Sequence, residues 1–318
     1  MKVIRATTEL LSAGRKVCVA IGFFDGVHLG HQQIIRQTIT DARQHEALAL
    51  VITFDCHPNT VVAPDRVPRL IYSLPQKLRA VESLGADTLL LIHFDQRFSQ
   101  QTGEDFIRGL ARDLRSIQSL CVGANFVFGH KRGGNVALLK QLGAELKFIV
   151  HGLAAVSLDG QPVSSTRIRE AILGGDLDTA SQMLGRAYSI AGLVVPGDGL
   201  GRQLGFPTAN LDVTGLALPP NGVYAVHATL PACSSPLAPR PSSVAFRAVL
   251  NIGLRPTLHN PAPQLRVEAH LLDFTGDLYG QELEITFVEK LRDEKRFPSL
   301  EDLRAQISRD IVDAQSRF

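Results

Sequence analysis

Two histidines stand three residues apart in the stretch GFFDGVHLGH, Gly22–His31, directly after the apolar run Val17–Ile21. Imidazoles at this spacing fit a metal pair, a polar surface turn, or donors to the oxygens of a phosphate. A zinc site needs a third ligand, and His57, His93, His130 and His151 all lie in separate segments. Gly26 and Gly30 let backbone approach a ligand closely. The loop runs into a helical pattern at about residue 31, and a helix N-terminus attracts anions through its N–H groups and partial positive charge. A second stretch, VSSTRIREAI (163–172), opens a helix with Ser164, Ser165 and Thr166 and places Arg167 and Arg169 close behind. Plain N-capping is one reading. An anion cradle is the other, because hydroxyls and guanidinium forks both bind phosphate oxygens. Cations in a first helical turn oppose the helix dipole, a cost that an external anion relieves.

Three further stretches carry polar chemistry. GANFVFGHKRGG (123–134) joins Asn125, able to hydrogen-bond a base or ribose, to Phe126 and Phe128 as an apolar wall. His130, Lys131 and Arg132 follow as a basic loop between glycines, which reads equally as a solvated turn. PGDGLGRQLGFPTANL (196–211) contains G-x-G, but it runs into Pro207 instead of an amphipathic helix, so a dinucleotide-binding turn is disfavoured. It suits a glycine-rich flap over phosphates, with Thr208 and Asn210 as oxygen ligands for Mg²⁺. Glu268, in LRVEAHLLDFTGDLYG, alternates with Val267 and Ala269. It is a solvent-facing strand residue unless its neighbours form a phosphate and alcohol site, where it becomes a general base.

The elements that must position these residues fall into two rhythms. Nearly continuous apolar runs predict strands at Val17–Ile21, Ala47–Phe54, Thr88–Phe94, Ser119–Gly123 and Leu146–His151, as in parallel strands covered on both faces. Amphipathic stretches alternate with them: HQQIIRQTITDARQH, LPQKLRAVESLG and TGEDFIRGLARDL. The pattern is that of a doubly wound α/β domain, whose ligands sit at the carboxyl ends of strands, where GFFDGVHLGH falls. After the helix-like STRIREAILGGDLDTASQMLG, short β-rich runs with Gly/Pro turns cover Tyr188–Val195, Gly222–Leu230, Val244–Ile252, Leu265–Phe274 and Leu283–Val288. These predict a small antiparallel barrel. A C-terminal helix follows, with Ser299 and Asp302 as a cap and Leu300, Leu303, Ile307 and Ile311 on one face. The expected division is 1–185 and 186–318, and PACSSPLAPRPSS (231–243) reads as a hairpin insertion.

Composition narrows the class. The chain has 318 residues, 45% hydrophobic and 20% charged, with a net charge of +2. Such a balance implies a folded protein and disfavours a general nucleic-acid or membrane surface. Cys18, Cys56, Cys121 and Cys233 form no C-x-x-C or zinc spacing, and no apolar run reaches 18 residues. A cytoplasmic protein is the expectation.

Taken in order, GFFDGVHLGH, VSSTRIR, GFPTANL, NIGLRPT and VEAHLLDFTGDLYG resemble one family over nearly the whole chain, the bifunctional bacterial riboflavin kinases/FAD synthetases. The resemblance implies an HxGH-type nucleotidyltransferase domain that makes FAD and pyrophosphate from FMN and ATP. It implies a following barrel that phosphorylates riboflavin with ATP to FMN, with Mg²⁺. His28 and His31 would stabilise adenylyl transfer, with Gly22, Phe24, Asp25 and Gly26 around the ATP phosphates. Ser164, Ser165, Thr166 and Arg169 would grip the departing pyrophosphate. Asn125, His57 and Pro58 would contact nucleotide or flavin. In the barrel, Gly199, Gly201, Arg202, Thr208 and Asn210 would bind ATP, Thr208 and Asn210 would hold Mg²⁺, and Glu268 would be the base. Phe23 and Cys56 depart from the family pattern, as does the length of 231–243. An enzyme with one surviving activity, and a flavin-binding regulator without catalysis, are the alternatives.

Overall fold

A computed structural model describes residues 1–10, 15–231, 242–257 and 260–318, without the side chains of 255–264. The proposed insertion at 231–243 lies almost wholly outside the described residues. Contacts divide the chain into two units: 1–70, 74–168 and 183–185, and then 71–73, 169–182 and 186–318.

The first unit is built on a parallel sheet of β1 (Lys2–Ile4), β2 (Val17–Ile21), β3 (Leu48–Phe54), β4 (Thr88–Ile92), β5 (Ile117–Gly123) and β6 (Ile149–Leu153), ordered β1-β4-β3-β2-β5-β6. Strand alternation sends Val17, Val19 and Ile21 into a core with Phe106, Ile107 and Leu110 of α3 (Gly103–Leu114). The same alternation sends Cys18 and Ala20 to the other face, against Ile34, Ile35 and Ile39 of α1 (Leu29–Gln44) and Val81 of α2 (Leu74–Glu82). Both faces are covered, so β2 is buried at every residue. Two departures from the sequence reading concern boundaries. The run Leu146–His151 straddles the end of α4 (Val136–Leu146) and the start of β6, because a helix end and a strand start are both apolar there. The stretch read as one helix after residue 164 is two, α5 (Ser165–Gly174) and α6 (Leu177–Leu184), separated at Gly175, whose φ of 84° is left-handed.

The second unit is a closed antiparallel barrel. Its strands are β7 (Ser189–Val195), β8 (Ala209–Asp212), β9 (Gly222–Leu230), β10 (Val244–Thr257), β11 (Asn260–Leu271) and β12 (Glu282–Arg292), in the order β7-β8-β11-β10-β9-β12. The sequence reading lacked β8, a four-residue strand that joins β7 to β11 and closes the barrel. Helix α7 (Leu300–Gln315) is capped by Ser299, whose Oγ accepts from the Asp302 N–H at 3.1 Å. Ile311 and Ala314 pack with Val223, Ala225 and Val249 of the barrel. Leu300, expected on this packed face, is 59% exposed, because it occupies the first position of the helix.

Candidate functional site

In the first unit, the chain leaves β2 through a turn that only particular residues permit. A Cβ on Gly22 would lie 2.7 Å from the Phe24 ring, so glycine there lets that ring fold back. Phe24, Gly26 and Val27 are all left-handed, at φ of 55°, 75° and 41°. A β-branched residue in this region is strained and persists only where packing holds it; Val27 is fully buried. The turn delivers His28 to the N-cap of α1 and His31 to its first turn. The two imidazoles stack, centroids 3.6 Å apart, and Phe24 meets His31 edge-on at 5.3 Å. Burial holds the His31 imidazole well below the ordinary histidine range, and the nearby His28 and Lys77 push the same way. Neutral at physiological pH, it offers one N–H and one lone pair beside the helix N-terminus.

The start of α5 is tied to this turn. Ser165 Oγ donates to the Asp25 carbonyl at 3.2 Å, and Ser164 Oγ accepts from the Arg167 N–H at 3.3 Å. The two arginines differ in role. Arg167 Nη1 donates to the Leu158 and Gln161 carbonyls, both at 3.2 Å, and so holds the 157–162 hairpin. Arg169 lies farther along the same helix, half-buried, and Thr166 is exposed.

Near the carboxyl ends of β2 and β3 opens a cavity of about 800 Å³, walled by Phe23, Phe54, Phe94, Phe98, Phe126 and Phe128. His57 and Pro58 line it as well. Phe126 and Phe128 stack at 5.2 Å, and Phe23 packs edge-on against His57 at 4.8 Å. A cavity of this size with flat aromatic walls fits a planar heterocycle. Phe23, a departure at the sequence level, is thus a wall residue. Asn125 is exposed and is not on this wall, although Phe126 beside it is. Phe94 and Phe98 escaped the sequence reading because no spacing links them to the other aromatic residues.

In the barrel, three polar residues align across neighbouring strands. Asn210 of β8 is the Cα partner of Glu268 of β11, and Glu268 pairs in turn with Asn251 of β10. Val267 and Ala269 point into the barrel and are buried, so Glu268 faces outward into a cavity of about 310 Å³. Thr208, Asn210, Asn251 and Arg292 line that cavity, together with Leu303 and Ile307 of α7. Thr208 also borders a second recess of about 310 Å³ with Arg202, Asp277 and Tyr279. Asn251 was missed as a site residue, although it opens the motif NIGLRPT.

The glycine-rich flap fits closely over these groups. A Cβ on Gly197 would lie 2.2 Å from the Asn210 amide nitrogen, and one on Gly201 would lie 2.4 Å from the Phe206 carbonyl and 3.2 Å from Thr208 Oγ1. Gly199 is left-handed at φ 70°. Arg266 forks onto Asp198 at 2.8 and 3.3 Å, latching the flap to β11. The side-chain oxygens of Thr208 and Asn210 are hard donors of the kind that suits Mg²⁺. Among the described residues, no group of three or more His, Cys, Asp or Glu side chains comes together as a metal site. No described helix is long and apolar enough to cross a membrane.

Comparisons with known proteins match the chain to two families, one after the other. The family model described as FAD synthetase matches residues 11–167, and the one described as riboflavin kinase matches 184–318. The bifunctional riboflavin kinase/FMN adenylyltransferase of Escherichia coli (strain K12) is 37% identical over 319 residues, covering 100% of this chain and 98% of that protein. The protein of the same name from Haemophilus influenzae is 36% identical and covers 100% and 99%. A solved structure named as a macrolide-efflux protein from Streptococcus pneumoniae superposes with a TM-score of 0.79 at 26% identity, over 99% of both chains. Two family models in this order, and relatives matched from end to end, make this chain a member of the bifunctional riboflavin kinase/FMN adenylyltransferase family.

Proposed function

We propose that the chain carries out two successive ATP-dependent transfers, riboflavin to FMN and FMN to FAD, with the first in residues 186–318 and the second in 1–185. The alignment of Glu268 with Asn210 and Asn251 at the wall of a cavity carries the kinase assignment. Glu268 accepts the proton of the ribityl hydroxyl as its oxygen attacks the γ-phosphorus, and ADP leaves. Thr208 borders both recesses, as a transfer between alcohol and nucleotide requires. Thr208 and Asn210 would hold Mg²⁺, which neutralises phosphate charge when bound. Gly199, Gly201 and Arg202 would approach the ATP phosphates.

In the first unit the aromatic cavity takes the flavin ring, with His57 and Pro58 in its wall. An oxygen of the FMN phosphate attacks the α-phosphorus of ATP, and pyrophosphate leaves. His28 and His31 at the α1 N-terminus stabilise the charge that develops, while Gly22, Phe24, Asp25 and Gly26 shape the turn around the phosphates. Ser164, Ser165 and Thr166 receive pyrophosphate, and Asn125 contacts the nucleotide from the loop after β5. The test is Glu268→Gln, assayed separately on riboflavin and on FMN. FMN formation falls by at least about 100-fold while FMN-to-FAD conversion is retained. Equal loss of both would contradict the division.

A further inference from the structure

Lys77 of α2 is 4% exposed, and a lysine at that depth is found only where its ammonium is paired or hydrogen-bonded. Its Nζ donates to the Phe54 carbonyl at 2.8 Å and to the Phe23 carbonyl at 3.2 Å, and lies 3.3 Å from Thr53 Oγ1. Thr53 Oγ1 itself donates to the Phe23 carbonyl at 2.9 Å, leaving its lone pairs toward the ammonium. Phe54 ends β3 and Phe23 follows β2, its neighbour in the sheet. One cation therefore ties together the carboxyl ends of two adjacent strands, where the turn to His28 and the Asp55–Pro58 loop begin. The same ammonium lies 4.4 Å from the centroid of the Phe23 ring, which packs on His57 at the cavity wall.

We infer that Lys77 is a positioning residue of adenylyl transfer, fixing the Phe23 wall and the turn that carries His28 and His31. The inference rests on the reading of this unit as the FMN adenylyltransferase. Its geometry has an electrostatic consequence. Lys77 is among the groups that keep the His31 imidazole neutral, with His28 and burial. Asp25, Asp55 and Cys56 face Lys77 and favour its charged form against the larger opposing effect of burial. Removing the ammonium favours imidazolium at His31, so a group needed neutral is lost at higher pH.

The test is Lys77→Met in the full-length chain, with FMN-to-FAD conversion followed from pH 5.5 to 9 and riboflavin phosphorylation as the internal control of folding. FAD formation falls about 10- to 100-fold in kcat/KM for FMN, as sub-ångström misplacement of reacting groups allows. Its acid limb moves to higher pH, and FMN formation is unchanged. Unaltered FAD formation, or a loss with the acid limb unmoved, would overturn the assignment. Should both activities fall together, Lys77→Ala with and without added propylammonium decides. Selective recovery of FAD formation supports the role, and no recovery overturns it. Failure of the unsubstituted protein to convert FMN at all would instead remove the underlying reading.

Discussion

At the scale of single residues, glycines and buried polar groups carry the most specific consequences. A methyl group at Gly197 lands on the Asn210 amide, so Gly197→Ala displaces a group beside Glu268. We expect FMN formation to fall by roughly tenfold or more, with adenylyl transfer unaffected; paired assays on one preparation check this. Lys77 offers a second test, through stability. Burial lowers its pKa from 10.5 to about 8. Below pH 8 the amine is charged in both folded and unfolded chains, and folding bears the full cost, on the order of 3 kcal/mol. Between pH 8 and 10.5 the folded chain has lost a proton that the unfolded chain keeps, so stability rises with pH. Relative to Lys77→Met, the unsubstituted protein should therefore gain stability across that window in urea unfolding, and a flat difference would contradict it. Glu268 shows the limit of reading a single residue. Alternation alone placed it on an outward face, and only the pairing of β11 with β8 and β10 put Asn210 and Asn251 beside it.

At the scale of elements, helix α7 is the clearest test. It lines the barrel cavity and is anchored by Arg292, which forks onto Asp310 at 2.9 and 2.7 Å, with Gln306 bonding Asp310 at 2.7 Å. Asp310 is almost fully buried, so Asp310→Ala leaves a half-buried guanidinium without its carboxylate, a change that costs about 3–5 kcal/mol. The expected result is a lower melting temperature for the second unit and a raised KM for riboflavin, with KM for FMN in adenylyl transfer unchanged. The long apolar strands and the Ser299 cap were legible because each depends on local pattern. Strand β8 was not. Its four residues follow Pro207 and alternate with polar Asn210 and Asp212, so only pairing with β7 and β11 makes it a strand. Gly175 likewise divides α5 from α6 through a left-handed conformation that periodicity does not reveal.

At the scale of the whole molecule, two transfer sites on one chain predict complementation. Glu268→Gln and His28→Ala/His31→Ala should each fail to convert riboflavin to FAD alone, and their mixture should restore conversion as FMN passes through solution. A mixture that stays inactive would show that the two reactions are not separable in this way. Ordered motifs, alternating apolar runs and the shift from α/β to β rhythm determined the family and the change of fold class along the chain, because each is written in local chemistry and spacing. The tertiary structure alone decided which polar residues meet. It placed Phe23 in a wall with Phe94 and Phe98, engaged Arg167 on a hairpin, set Asn251 beside Glu268, and buried Lys77 between two strand ends. Apart from Arg167, whose acceptors stand six and nine residues back, those relations join residues well separated in the chain, where sheet register and close packing, not sequence period, set the distances. GFFDGVHLGH by itself left a metal pair, a polar turn and a phosphate site open, while the lysine that bonds the Phe23 carbonyl at its start lies on a helix more than forty residues away.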